Sequence, residues 1–208
     1  MKILKINNEN YQPAIKEAVK LLKQGGVLVY PTETSYGLGG DATKRSSLKK
    51  IFKIKKRKPN KAVTVLVADF TMAKKYGKFD KRSWKLAKKY WPGPLTLVLA
   101  VRNQRQKVFL DPVGNNKTLG MRISPQPLAT QLVKELKRPL VTTSANLSGQ
   151  PAAYSTREII GYFKNKKFQP DLILDAGRLP KTRPSTVIKI ENKKIKILRP
   201  GPLKISLD

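Results

Sequence analysis

Apolar positions recur along this chain with two alternating periods, one helical and one extended. Ile15, Ala18, Val19 and Leu22 form a stripe at helical spacing that opens near Pro13 and ends at Gly25-Gly26, as a proline in a first turn and glycine past a last turn favour. The unbroken apolar run Val27 to Tyr30 follows. A run with no polar alternation predicts a strand buried on both faces, as in the centre of an α/β sheet. Pro31 to Gly40 then reads as a loop.

Thr43 is positioned to cap a second helix, with Leu48, Ile51 and Phe52 inward, lysines outward and Pro59 limiting its end. Val63 to Val67 predicts a strand. Asp69 and Asp80 suit the N-caps of two helices carrying Met72, Ala73 and Tyr76, then Trp84, Ala87 and Tyr90, the second broken by Trp91-Pro-Gly-Pro94. Strands are expected at Leu95 to Val101 and Leu119 to Ile123. A helix bearing Leu128, Leu132, Val133 and Leu136 leads to a strand at Leu140 to Thr143. Ser144 to Tyr154 is a polar loop, and Ser155 can cap a helix with Ile159, Ile160 and Phe163. Three short strands close the pattern, at Leu172 to Leu174, Thr186 to Ile190 and Ile195 to Leu198. With no repeat and no linker-like stretch, the alternation predicts one α/β domain over residues 1–208.

Composition narrows the chemistry. The chain has 208 residues, 39% of them apolar, with neither cysteine nor histidine. This excludes a Ser-His-Asp triad, a cysteine nucleophile, the usual N/S zinc site and a histidine proton shuttle. The longest apolar run, Leu95 to Val101 interrupted by Thr96, falls well short of the roughly 18 residues of a membrane span. The opening MKILKINNENYQ has no signal-peptide core, so a cytoplasmic protein without membrane contact is expected.

The formal charge is +31, with lysine in excess over arginine. A lysine-rich genome would produce such a balance, and so would a polyanionic partner, since a field of this size attracts nucleic acid and nucleotide phosphates. Between Asp41 and Asp69 the chain has no acidic residue but carries Lys44, Arg45, Lys49, Lys50, Lys53, Lys55, Lys56, Arg57, Lys58 and Lys61. Lys44, Lys49, Lys50 and Lys53 fall on the predicted helix's outer face.

Three polar segments lie where predicted strands end or a helix turns, the places where open α/β sheets bind ligands. Pro31 to Gly40 combines hydroxyls, a glutamate and three glycines, a mixture suited to a small-ligand pocket or to a plain connector. Lys55, Arg57 and Lys61 surround a turn where cationic heads could converge on a triphosphate, or belong to a solvated face. Thr142 to Gly149 offers hydroxyls and an amide to phosphate oxygens or a magnesium ion, or forms an ordinary turn.

PTETSYGLGG, Lys55-X-Arg57 with Lys61, LGMRISPQP, TTSANLSGQP, PSTV and ILRPG occur in an order and spacing that resemble the YrdC/TsaC family, the L-threonylcarbamoyladenylate synthases. The resemblance runs from about residue 19 to 202. It implies an α/β fold whose twisted, mixed sheet, with flanking helices, lines a large basic concave cavity. It also implies a short single-domain form with no appended C-terminal domain. The implied reaction joins L-threonine, bicarbonate and ATP, with Mg2+, into threonylcarbamoyl-AMP and pyrophosphate. The product would pass to threonylcarbamoyl transferase proteins that modify tRNA beside the anticodon, with tRNA or RNA contact expected.

By matching position, Thr34, Arg122, Thr142 and Ser185 resemble threonine contacts. Lys55, Arg57, Lys61, Thr118, Ser144, Asn146 and Arg199 resemble ATP contacts, with Lys55, Arg57 and Lys61 as the catalytic clamp. Which groups hold the metal is left open. Two positions depart from the family: Leu66 stands where many members have histidine, and Lys189 stands where an acid is common. The competing readings are a non-catalytic RNA-binding or ribosome-associated protein, and a paralogue with another substrate.

Overall fold

The computed structural model describes residues 1–58, 63–102, 117–191 and 194–205. The chain order begins β1 (Lys2–Lys5), α1 (Tyr11–Lys23), β2 (Leu28–Pro31), β3 (Tyr36–Gly39), α2 (Arg45–Lys55) and β4 (Thr64–Leu66). It continues with α3 (Phe70–Tyr76), β5 (Gly77–Lys78), α4 (Lys81–Tyr90), β6 (Leu95–Val101) and β7 (Thr118–Arg122). The last third holds α5 (Pro127–Leu136), β8 (Leu140–Ser144), α6 (Thr156–Phe163), β9 (Leu172–Asp175), β10 (Thr186–Glu191) and β11 (Lys194–Arg199).

The strands form one mixed sheet in the order β1-β9-β2-β3-β8-β4-β7-β6-β10-β11, with β5 beside β6. Pairings β1–β9, β2–β9, β4–β7 and β6–β10 are parallel, and the others antiparallel. Apolar clusters lie on both faces. Leu28 and Tyr30 join α1 and α5 on one side, while Val27 and Val29 join α2 and α6 on the other. The uninterrupted apolar run of β2 follows from this, because successive side chains enter different cores.

The expected helices are present. Asp69 accepts a hydrogen bond from the Met72 N–H, Ser155 accepts one from Glu158, and Asp80 forms a capping box with Ser83. Thr43 does not cap α2. Its amide and hydroxyl both donate to the Asp41 carboxylate, at 2.8 and 2.6 Å, and Lys44 takes the N-cap position without a side-chain bond. The expected loop Pro31 to Gly40 is instead a hairpin whose second arm is β3. Gly37 and Gly39 hide that strand from propensity reasoning, yet a side chain at Gly39 would meet the Val141 carbonyl oxygen at 2.4 Å. Close insertion of β3 between β2 and β8 requires glycine there. Edge strand β1, mostly exposed, was not expected.

Among the described residues, no helix is long and apolar enough to cross a membrane. Of the four lysines expected on the outer face of α2, Lys50 is tied to Asp171 at 2.5 Å and Lys53 lies over the Phe168 ring at 5.2 Å. Leu66 is buried in the core beside α5. Lys189 pairs with Glu191 at 2.6 Å.

Candidate active site

A cavity of about 580 Å³ opens beside the β2–β3 turn, the first residue of β4 and the last residues of β7 and β8. Its walls come from four parts of the chain. At the β2–β3 turn, the Thr32 hydroxyl donates to the Ser35 carbonyl at 2.6 Å and accepts from the Thr34 and Ser35 amides. This fixes Thr32, Thr34 and Ser35 against the cavity. Across the sheet, Thr64 donates to the Thr142 carbonyl at 3.0 Å, and both threonines line the wall.

Arg122, at the end of β7, is buried and reaches the cavity. Burial pushes its pKa down to about 10, which leaves it a cation at neutral pH. Glu33 engages its guanidinium as an ion pair, and the Ser124 hydroxyl donates to the same carboxylate. Glu33 does not line the cavity. One guanidinium nitrogen, Nη1, is committed to this carboxylate, and the rest of a five-donor fork remains for a ligand on the cavity side.

Lys55 and Arg57 diverge. Lys56, at the α2 C-cap, adopts left-handed backbone (φ 49°), and the Arg57 amide donates back to the Phe52 carbonyl at 3.0 Å. That reversal sends Arg57 into the cavity wall and leaves Lys55 beneath the loop after β8. The Lys55 ammonium donates to the Ser144 carbonyl (2.5 Å), the Asn146 carbonyl (2.8 Å) and Asn146 Oδ1 (2.8 Å). Burial, with Arg57 nearby, pushes its pKa down to about 7. Lys55 therefore holds the loop from behind and, unlike Arg57, is not among the residues that line the cavity. Ser144 and Asn146 line the cavity, and their side chains are joined at 2.7 Å.

Arg199 and Ser185 form the far wall. The Arg199 guanidinium donates to the Ser185 carbonyl and hydroxyl, both from Nη2 at 2.9 Å, and Ser185 also meets the Thr96 hydroxyl at 2.8 Å. Burial lowers the pKa of both Arg57 and Arg199.

Eight expected site residues thus meet at one cavity: Thr34, Arg57, Arg122, Thr142, Ser144, Asn146, Ser185 and Arg199. Thr118 does not. It is exposed at the start of β7, on the face that carries Arg122 but about 13 Å along the strand, outside the lining. Lys61 lies outside the described residues. Sequence reading missed Glu33 as the partner of Arg122, and it missed Tyr154 and Thr182. Thr182 donates to the Glu33 and Thr34 carbonyls, and Tyr154 donates to the Thr182 carbonyl. No local spacing signals these contacts, since the partners lie far apart in the chain.

Three guanidinium groups and a ring of hydroxyls line this cavity, with no carboxylate among the described lining residues. Such a wall suits an anionic ligand held by forked hydrogen bonds. No cluster of metal-ligating side chains occurs among the described residues.

The Sua5/YciO/YrdC family model, described as "Telomere recombination", matches residues 20–201. The chain belongs to this family. It is 31% identical over 206 residues to a Methanocaldococcus jannaschii protein provisionally named threonylcarbamoyl-AMP synthase, covering 99% of this chain and 94% of that one. The threonylcarbamoyl-AMP synthase of Psychromonas ingrahamii is 30% identical over 79% of this chain and 86% of its own. Among solved structures, Pyrococcus abyssi Sua5 in complex with L-threonine superposes with a TM-score of 0.84 at 30% identity, covering 96% of this chain. This chain spans 57% of the length of that Sua5. Escherichia coli YciO superposes at 0.81 with 26% identity, covering 99% of this chain and 97% of its own.

Proposed function

We propose that the protein is an L-threonylcarbamoyladenylate synthase. The observation that carries this reading is the convergence of Arg57, Arg122 and Arg199 on one hydroxyl-lined cavity, in a member of the Sua5/YciO/YrdC family. L-Threonine and bicarbonate condense to a carbamate with loss of water. A carbamate oxygen then attacks the α-phosphorus of ATP, the bond to the bridging oxygen breaks, and pyrophosphate leaves.

Arg122 holds the threonine carboxylate through the part of its fork that faces the cavity, with Thr34, Thr142 and Ser185 around the amino acid. Arg57, Ser144, Asn146 and Arg199 receive the nucleotide phosphates. The attacking carbamate is already anionic, so positioning and charge neutralisation serve in place of a strong side-chain base. Mg2+ enters with the triphosphate as part of the substrate. Hydroxyl and amide oxygens without carboxylates fit an ion that keeps its phosphate and water ligands.

The test is pyrophosphate release by purified protein, with L-threonine and bicarbonate each omitted in turn. Release should require both. Equal turnover with serine, or turnover unaffected by removing bicarbonate, would overturn the assignment. Slow turnover of serine would not, since a missing methyl costs about 1 to 3 kcal/mol of discrimination. The likeness to YciO over nearly both whole chains favours a paralogue as the second reading, and the same omissions decide it.

A further inference from the structure

Residues 176–184 form a strap between β9 and β10 that borders the cavity, with Thr182 and Pro184 among its lining. Both ends of the strap are fixed. At the first end the Ala176 amide donates to the Tyr36 phenol oxygen at 3.0 Å, and the Tyr36 hydroxyl donates to the Gly177 carbonyl at 2.6 Å. The Leu179 amide adds a bond to the Tyr154 carbonyl at 2.8 Å. At the other end Ser185 is buried between Thr96 and Arg199, and the Thr186 amide donates to the Pro94 carbonyl at 2.9 Å. Residues 180–184, between these anchors, are exposed.

The strap meets the rest of the site through Thr182. The β2–β3 turn satisfies part of its backbone through the Thr32 hydroxyl. Its Glu33 and Thr34 carbonyls find their donor outside the turn, in Thr182 Oγ1 at 3.1 and 2.9 Å. The Thr182 carbonyl in turn accepts from the Tyr154 hydroxyl at 3.2 Å. Thr182 is thus held to the Tyr154 wall by its backbone and to the turn by its side chain. That turn carries Thr34, which lines the cavity, and Glu33, whose carboxylate engages Arg122 and Ser124. One hydroxyl on the strap therefore bears on both.

We propose that Thr182 is a positioning residue for the amino-acid substrate. Through the Glu33 and Thr34 carbonyls it holds the turn in register, and with it Thr34 and the Glu33–Arg122 pair, while Tyr154 holds Thr182. Groups that grip a ligand keep their geometry only when a surrounding set of hydrogen bonds locks them. A purely structural role fits less well, because the strap is anchored at both ends without Thr182 and the bonds it makes to the turn lie at the surface. Water can replace such a donor, so its loss loosens the turn without unfolding the chain. That the ligand is L-threonine rests on the synthase reading.

The test measures L-threonine binding by calorimetry, and pyrophosphate release at saturating ATP and bicarbonate, in the parent and in Thr182→Val, Thr182→Ser, Tyr154→Phe, Glu33→Gln and Glu33→Gln/Thr182→Val. Thr182→Val should weaken threonine binding about three- to tenfold, the worth of one hydrogen bond, with the larger share of the kinetic effect in KM for threonine. Its melting temperature should move by no more than about 2 °C. Thr182→Ser keeps the hydroxyl and should restore binding, and Tyr154→Phe should weaken it in the same direction. In the Glu33→Gln background, Thr182→Val should add less than about twofold, since both act on one turn. Unchanged threonine affinity in Thr182→Val, failure of serine to restore it, or losses that multiply fully in the double variant would each overturn the proposal; the last would make Thr182 a direct ligand contact. A parent that binds no L-threonine would remove the synthase reading and this proposal with it, whereas a parent that binds it equally well after Thr182→Val removes the proposal alone.

Discussion

Replacing Lys55 with methionine keeps most of the length of the side chain and removes the three hydrogen bonds that pin the loop after β8. Two acceptors keep other partners, since the Ser144 carbonyl also receives the Asn146 amide and Asn146 Oδ1 receives the Ser144 hydroxyl. The Asn146 carbonyl depends on Lys55. A buried acceptor left without a donor costs about 1 to 3 kcal/mol, and each lost bond about 0.5 to 1.5 more, offset by relief from burying an amine. A net loss of about 3 kcal/mol is expected, or about 6 to 12 °C in melting temperature for a domain of this size. The pH dependence has a definite sign. The folded pKa of Lys55, about 7, lies below its ordinary 10.5, so between those values the unfolded chain binds more protons and parent stability rises with pH. The gap between parent and Lys55→Met should therefore widen from pH 6 to pH 9. The assay is urea unfolding followed by circular dichroism at both pH values, with ATP affinity by calorimetry. A lysine that instead reached out to phosphate would leave the unliganded protein as stable as before, or stabilise it on removal by relieving Arg57. An unchanged unfolding midpoint would refute the strut.

Arg57→Ala should lower turnover on the order of 100-fold, as loss of a preorganised donor does, and Arg57→Lys should not restore it because an ammonium lacks the planar fork. A fully active alanine variant would remove Arg57 from the site. Glu33→Ala leaves the buried Arg122 without its carboxylate and should cost about 3 to 5 kcal/mol in unfolding free energy. Glu33→Gln retains a hydrogen-bond acceptor for Arg122 and should fold, but with a raised KM for threonine and a smaller effect on kcat; unchanged threonine kinetics would show that the ion pair does not orient Arg122.

Much of the fold was legible because its signals are local. Asp69, Asp80 and Ser155 cap helices through side chains three residues from their partners, and the apolar run of β2 records two cores at once. Thr43 misled because Asp41, two residues earlier, captures both its donors and so competes with the cap. Strand β3 was hidden for the opposite reason: its glycines lower strand propensity while meeting a packing demand set by β2 and β8, which only the assembled sheet imposes.

At the site, the residue types were legible and their directions were not. Lys55 and Arg57 are two apart, and a helix continuing through them would have set their side chains about 200° apart without saying which faced the ligand. The left-handed turn at Lys56 decides it, turning the cation that lacks a fork inward and the forked one outward. Two of the three arginines have guanidinium groups tethered before any ligand arrives, Arg122 by Glu33 and Arg199 by Ser185. Holding such donors in place lowers the reorganisation needed when negative charge appears, which is the main resource open to a protein with no imidazole or thiol. Each tether joins residues distant in sequence, Glu33 to Arg122 from the two sides of the sheet's centre and Ser185 to Arg199 across β10 and β11. The topology of the mixed sheet, more than any single motif, therefore aims the three guanidinium groups into one cavity.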